Sequence, residues 1–102
     1  MCYYNAEYFS NLMELRFNIE VEEEQVKEES VLLYKEGLDK KLVSNSLLSI
    51  APDMVLLYSC TYDTDEKEWI VCVAFDADTS YPLFLICLKD GKKVYEEDLR
   101  ID

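Results

Sequence analysis

Apolar residues recur along this chain with two different periods, and the change falls near Pro52. Before it, the spacing is mostly helical. The stretch NAEYFSNLMELRF from Asn5 predicts a helix in which Asn5 caps, Glu7 suits the positive end of the helix dipole, and Tyr8, Leu12 and Leu15 form one apolar stripe. FNIEV, over 17–21, then alternates, with Phe17, Ile19 and Val21 on one side, as a short strand or an extended bridge would. Helix-end signals predict a second helix. It would start at Glu22, Glu23 and Glu24, whose carboxylates oppose the dipole, and stop at Lys35 and Gly37. Glu23 and Lys27 add a favourable i, i+4 pair. A third helix is expected over 38–50, with Leu38, Leu42, Val43, Leu47 and Ile50 on a broad stripe and Pro52 as its stop.

Beyond residue 53 the segments become short, β-branched and aromatic. MVLLYSCTY (54–62), EWIVCVAF (68–75), PLFLICLK (82–89) and KKVYEE (92–97) read as strands separated by polar turns. Lys89-Asp90-Gly91-Lys92 is a two-residue hairpin signal, because Asp and Gly both accept positive φ. The fold class predicted is α+β: N-terminal helices packed on a C-terminal antiparallel β-meander of three to four strands. At 102 residues the chain is expected to form a single domain, with 1–52 mainly helical and 53–102 the meander. The central strands are apolar on both faces, with Trp69, Val71, Val73 and Phe75 backing onto Ile70, Cys72 and Ala74. Helices can cover one face. The other needs the remaining helix, the N-terminal segment or a second copy of the chain, so a homodimer is one of the expected solutions.

Composition narrows the chemistry. Half the residues are apolar, which argues against disorder, and 22 acids against 10 bases give a formal charge of −12. Direct binding of nucleic acid or of an anionic membrane is disfavoured, because both need clustered Lys and Arg. No apolar run reaches the length of a membrane span, and MCYYNAEYFS lacks the basic start of a signal peptide. A cytoplasmic protein is expected, in the host-cell cytoplasm if the chain is viral. The cysteines at 2, 60, 72 and 87 form no C-x-x-C pair, and free buried thiols are expected rather than zinc ligands or disulfides.

Catalysis is hard to build from these residues. Histidine is absent, which removes the usual general base and the Ser-His and Cys-His arrangements. Phosphate-cradling glycine motifs are missing too. DTDEKE (63–68) echoes the start of a calcium loop but puts Lys67 where an oxygen ligand belongs and Glu68 where glycine belongs. DADTS (76–80) likewise has no glycine following it, and no metal, cofactor or catalytic residue is assigned.

A non-enzymatic binding role is therefore expected. The chain would inhibit or neutralise a basic partner protein, such as a nuclease, by offering carboxylates in place of phosphates. Small phage anti-defence proteins and toxin-immunity proteins share this general character, an analogy of type with no shared motif. Encounter would be driven by charge and affinity by a few aromatic anchors. An alternative is a small-molecule sponge or sensor whose aromatic pocket uses Tyr58, Tyr62 and Trp69, at a dimer interface if one forms.

The partner surface expected is one end of the meander. Up-and-down strands would gather Asp53, Asp76, Asp78, Tyr81, Glu96, Glu97 and Asp98 there with no lysine among them. The other end would mix its acids with Lys67, Lys89, Lys92 and Lys93. Glu22, Glu23 and Glu24, in a stretch of six glutamates over 19–30, would join the surface only if the fold brought them to the same side. The bland alternative for all these acids is a solvated face.

Overall fold

A computed structural model of the chain describes residues 5–64 and 66–100. Five antiparallel strands lie in sequence order: β1 (Lys27–Tyr34), β2 (Met54–Thr64), β3 (Lys67–Asp76), β4 (Pro82–Lys89) and β5 (Lys92–Asp98). They are accompanied by α1 (Ala6–Phe17) and the short α2 (Asn45–Ile50). The protein is α+β with a C-terminal meander, as its sequence pattern predicts, but the sheet has five strands rather than three or four.

The additional strand comes from the glutamate-rich stretch. No helix runs from Glu22 to Gly37; a 3-10 turn at Glu23–Gln25 leads directly into β1. Carboxylates at a helix start contribute about 0.3–1 kcal/mol each, and only if the helix between its end signals has a face to bury. Here the interior reads Ser30, Val31, Leu32, Leu33 and Tyr34, which suits a pleated surface better than a helical stripe. β2 also offers a ladder edge, and β1 fills it from Lys27 opposite Thr61 to Tyr34 opposite Met54. Strand pairing overrides the local end signals.

The helix expected over 38–50 survives only as α2. Asp39 Oδ1 accepts the Lys41 backbone N–H at 2.8 Å, a local turn that competes with helix. The turn is closed by the Leu42 and Val43 N–H groups, which donate to the Asp39 carbonyl at 3.0 and 2.9 Å, and the chain turns extended at Ser44, whose ψ is 154°. Leu38, Val43 and Leu47 are nonetheless buried together, so the apolar stripe is real although its backbone is not helical throughout. The first half of the chain is accordingly less helical than its pattern suggests. Residues 18–22 form no strand either, and bridge α1 to the 3-10 turn with Val21 buried.

α1 is capped as expected, with Asn5 Oδ1 accepting the Tyr8 N–H at 3.0 Å. It ends at Asn18, which takes the left-handed conformation (φ 55°, ψ 41°) that short polar side chains tolerate. Its buried face is turned from the predicted stripe. Phe9 and Met13 are buried, Tyr8 and Leu12 flank them, and Leu15 is 85% exposed.

Both faces of the sheet are covered by the chain itself. On one, Phe9 and Met13 of α1 pack with Cys60, Tyr62, Trp69, Val71, Val73, Leu85 and Cys87. On the other, Leu38, Val43, Leu47 and Ala51 pack with Val55, Ala74, Phe84, Ile86 and Leu88. A second copy is not needed to bury either face.

The turns fix the two ends of the sheet. Asp90 (φ 52°) and Gly91 (φ 81°) make the predicted two-residue hairpin between Lys89 and Lys92. Asp90 is tied to the β2–β3 end, because its Oδ1 accepts the Glu68 N–H and its own N–H donates to the Glu68 carbonyl, both at 2.8 Å. At the opposite end, Asp76 N–H donates to the Tyr81 carbonyl at 2.9 Å and Leu99 N–H to the Leu83 carbonyl at 2.9 Å.

Candidate partner-binding surface

The strand register brings Asp53, Asp76, Asp78, Tyr81, Glu97 and Asp98 to the end expected for them. Val55 pairs with Asp76, Phe84 with Asp98 and Leu85 with Glu97, while Ala77 N–H donates to the Met54 carbonyl at 3.3 Å. Asp76 Oδ1 is occupied by its own turn, accepting the N–H groups of Asp78 at 2.8 Å and Thr79 at 3.2 Å. Asp53 and Asp78 are exposed, and Tyr81 is 71% exposed.

Glu96, expected at this end, lies instead farther along β5 opposite Ile86, where Lys93 Nζ contacts its Oε2 at 2.9 Å, helped by the irregular register between β4 and β5 after Cys87. A base does reach the acidic end itself, contrary to the sequence expectation. Arg100 forms a two-point pair with Asp98, at 2.9 and 3.2 Å. Burial alone would raise the Glu96 pKa, but Lys93 and the Ser44 N–H hold it below the ordinary glutamate value. Arg100, through its guanidinium and its backbone N–H, holds the Asp98 carboxyl below the ordinary aspartate value. Tyr95 donates its hydroxyl to Glu97, which raises the phenol pKa, and Arg16 lies over the Tyr95 ring at 4.6 Å.

Glu22, Glu23 and Glu24 lie elsewhere. They precede the first residue of β1, whereas Lys35, just past its last, donates its N–H to the Asp53 carbonyl at 2.7 Å. The two acidic groups therefore sit at opposite ends of β1, roughly 25 Å apart at the rise of a strand. What joins them is the strand itself, an edge of the sheet. Glu28, Glu29, Val31, Leu32 and Tyr34 on it are exposed, the last three at 49%, 55% and 65%. The sequence does not single out this strip, since its helix-end signals conceal that Val31, Leu32 and Tyr34 belong to an edge strand.

Tyr62 and Trp69, expected to line an aromatic pocket, lie beneath α1, with Phe9 6.5 Å from Tyr62 and Phe17 4.9 Å from Trp69 between ring centroids. Tyr58 is half-buried, and burial, aided by its contacts with Cys60 and Glu28, pushes its phenol well above the ordinary value. Cys60 donates its thiol to the Tyr58 hydroxyl at 3.4 Å, Cys72 and Cys87 are free, and Cys2 lies outside the described residues. Asp65 lies outside them as well, and among the described residues no group of three Cys, Asp or Glu gathers closely enough to hold a metal ion. No helix among the described residues is long and apolar enough to cross a membrane.

Comparison of the chain with protein-family models, with curated proteins and with solved structures gives no match.

Proposed function

We propose that this protein is a non-enzymatic binder that docks a basic surface or extended basic segment of another protein, as an inhibitor or neutralising protein does. The observation that carries this reading is the β1 edge. Edge strands of soluble proteins are usually short, bulged or covered, because their outer N–H and C=O groups invite another strand. β1 is eight residues long with no register shift against β2, and it mixes carboxylates with exposed Val31, Leu32 and Tyr34. Backbone pairing, apolar anchors and charge are the three components of strand-addition recognition. A basic occupant fits better than a second copy, which would set a net charge of −12 against another −12. Asp53, Asp76, Asp78, Tyr81, Glu97 and Asp98 extend the negative field past the Tyr34 end of the strand, and Glu22, Glu23 and Glu24 extend it past the other.

The test is capture from a lysate of the source cell, identification of the bound protein, and measurement of its association rate against salt. A basic protein whose association slows steeply with ionic strength is expected. Capture should fail in a folded Glu28→Lys/Glu29→Lys/Leu32→Ser variant. Retained capture by that variant removes the β1 edge from the reading. Asp76→Lys/Asp78→Lys/Glu97→Lys then decides whether the acidic end serves instead. A partner held equally well by both variants and at high salt rejects the proposal.

A further inference from the structure

On the α1 face, the hairpin end of the sheet presents cations. Strand alternation places Lys67 on the same face as Trp69, two residues away, and the β3–β4 ladder sets Lys89 directly opposite Trp69. Thr64 faces Lys67 across the β2–β3 ladder. Phe17, at the end of α1, and Ile19, just beyond it, overhang these residues and leave a half-open cavity of about 370 Å³.

The lining has an unusual chemistry for so acidic a chain. With 22 acids against 10 bases, carboxylates are plentiful, yet among the described residues neither lysine is ion-paired with one. The ion pairs among the described residues are Lys93–Glu96 and Arg100–Asp98. Lys89 Nζ lies instead 5.3 Å from the centroid of the Trp69 ring. Trp69 itself is 4% exposed, and its buried indole N–H has no acceptor. A buried donor left without an acceptor is rare in folded proteins and marks a position where a partner is missing. Among the described residues, every charged group lining the cavity is therefore cationic, and the lining residue Trp69 carries an unused buried donor. Phe17 and Ile19 supply apolar walls of the kind that hold an aromatic or branched body.

We infer that this cavity binds a small organic anion, an aromatic carboxylate seated between Lys67 and Lys89 with its ring against Phe17 and Ile19. The site is separate from the β1 edge and does not depend on the partner-binding reading. The lysines supply charge-assisted hydrogen bonds, and the carboxylate brings an acceptor to the part of the core where Trp69 has none.

Trp69 is the only tryptophan in the chain, so its emission reports on the cavity directly. Titration with benzoate, phenylacetate and phenylpropionate should give a saturable change for at least one, with a dissociation constant of about a millimolar or tighter. Phenylacetamide, matched in shape to phenylacetate but uncharged, should bind about tenfold more weakly or not at all. Lys67→Gln and Lys89→Gln should each weaken the carboxylate about tenfold, and Lys41→Gln, on the opposite face, should leave it unchanged. Should Lys89→Gln disturb folding by circular dichroism, the exposed Lys67 decides. Saturation by none of the three carboxylates, equal binding of the amide, or full affinity in the folded Lys67→Gln variant overturns the inference.

Discussion

Tyr62 stands opposite Trp69 across the β2–β3 ladder, and this pairing sets Cys60 against Val71 and Cys72 against Ser59. Neither thiol meets the other, and a disulfide needs close Cα atoms with converging Cβ vectors. Thiol titration in denaturant without reductant should therefore find all four cysteines reduced, counting Cys2 on its sequence context. In the native protein at neutral pH the response should be slow, because burial pushes Cys72 up to about 11 and Cys87 to about 12, and the thiolate is the reactive form. Fewer than four thiols would reveal a bridge.

The rotation of α1 predicts a ranking of substitutions. Phe9→Ala empties a fully buried site and should cost about 3–5 kcal/mol, whereas Leu15→Ser, at a position 85% exposed, should change stability by less than about 0.5 kcal/mol. Urea unfolding followed by Trp69 emission measures both. The reverse order would mean that α1 presents its predicted stripe after all.

Two glycines separate backbone freedom from space. Gly91 has φ +81°, where a Cβ is strained even though nothing lies within 4 Å of it. Gly91→Ala should cost about 1–2 kcal/mol. Gly37 is not in that region, and an added Cβ would meet Leu33 Cβ at an ordinary 3.9 Å. Gly37→Ala should stay within about 0.5 kcal/mol of the parent. Equal losses at both sites would show that the hairpin does not hold Gly91 in the left-handed region.

Acid dependence should trace to Glu96. Its folded pKa lies below the ordinary value, so its stabilisation is present above the unfolded pKa and is lost as pH falls through the folded one. Glu96→Gln should lower stability at pH 7 by up to about 1 kcal/mol, and the gap to the parent should be smaller at about pH 3, below the ordinary glutamate value. Denaturant titrations at the two pH values check this; a gap that widens on acidification contradicts it.

The strands after residue 53 were legible because each carries its own signal. Asp90-Gly91 marks a turn, and the apolar run in 82–89 leaves β4 no other state. Even the Tyr62–Trp69 register follows from the hairpin. β1 was not legible, because Glu22, Glu23, Glu24 and Gly37 describe helix ends while the strand exists only through its pairing with β2. Leu38, Val43 and Leu47 were identified as core without their backbone being right, since burial follows the stripe while the turn that starts at Asp39 ends at Val43, before extended Ser44. For the acidic end, strand order located Asp53, Asp76 and Asp78, but the bulge that brings Lys93 to Glu96 and the pairing of Arg100 with Asp98 are announced by no residue pattern.

Both coverings of the sheet, α1 on one face and the segment containing α2 on the other, precede β2 in the chain. During synthesis they leave the ribosome before any strand they cover, and β1 emerges before its neighbour. At roughly 5–20 residues per second, the N-terminal half waits a few seconds with its apolar side chains wet until β2, β3 and β4 are available. The nascent chain is thus most exposed to chaperones, proteases and misassociation until β4 emerges, and its glutamate-rich stretch travels through that interval as a charged, self-repelling spacer.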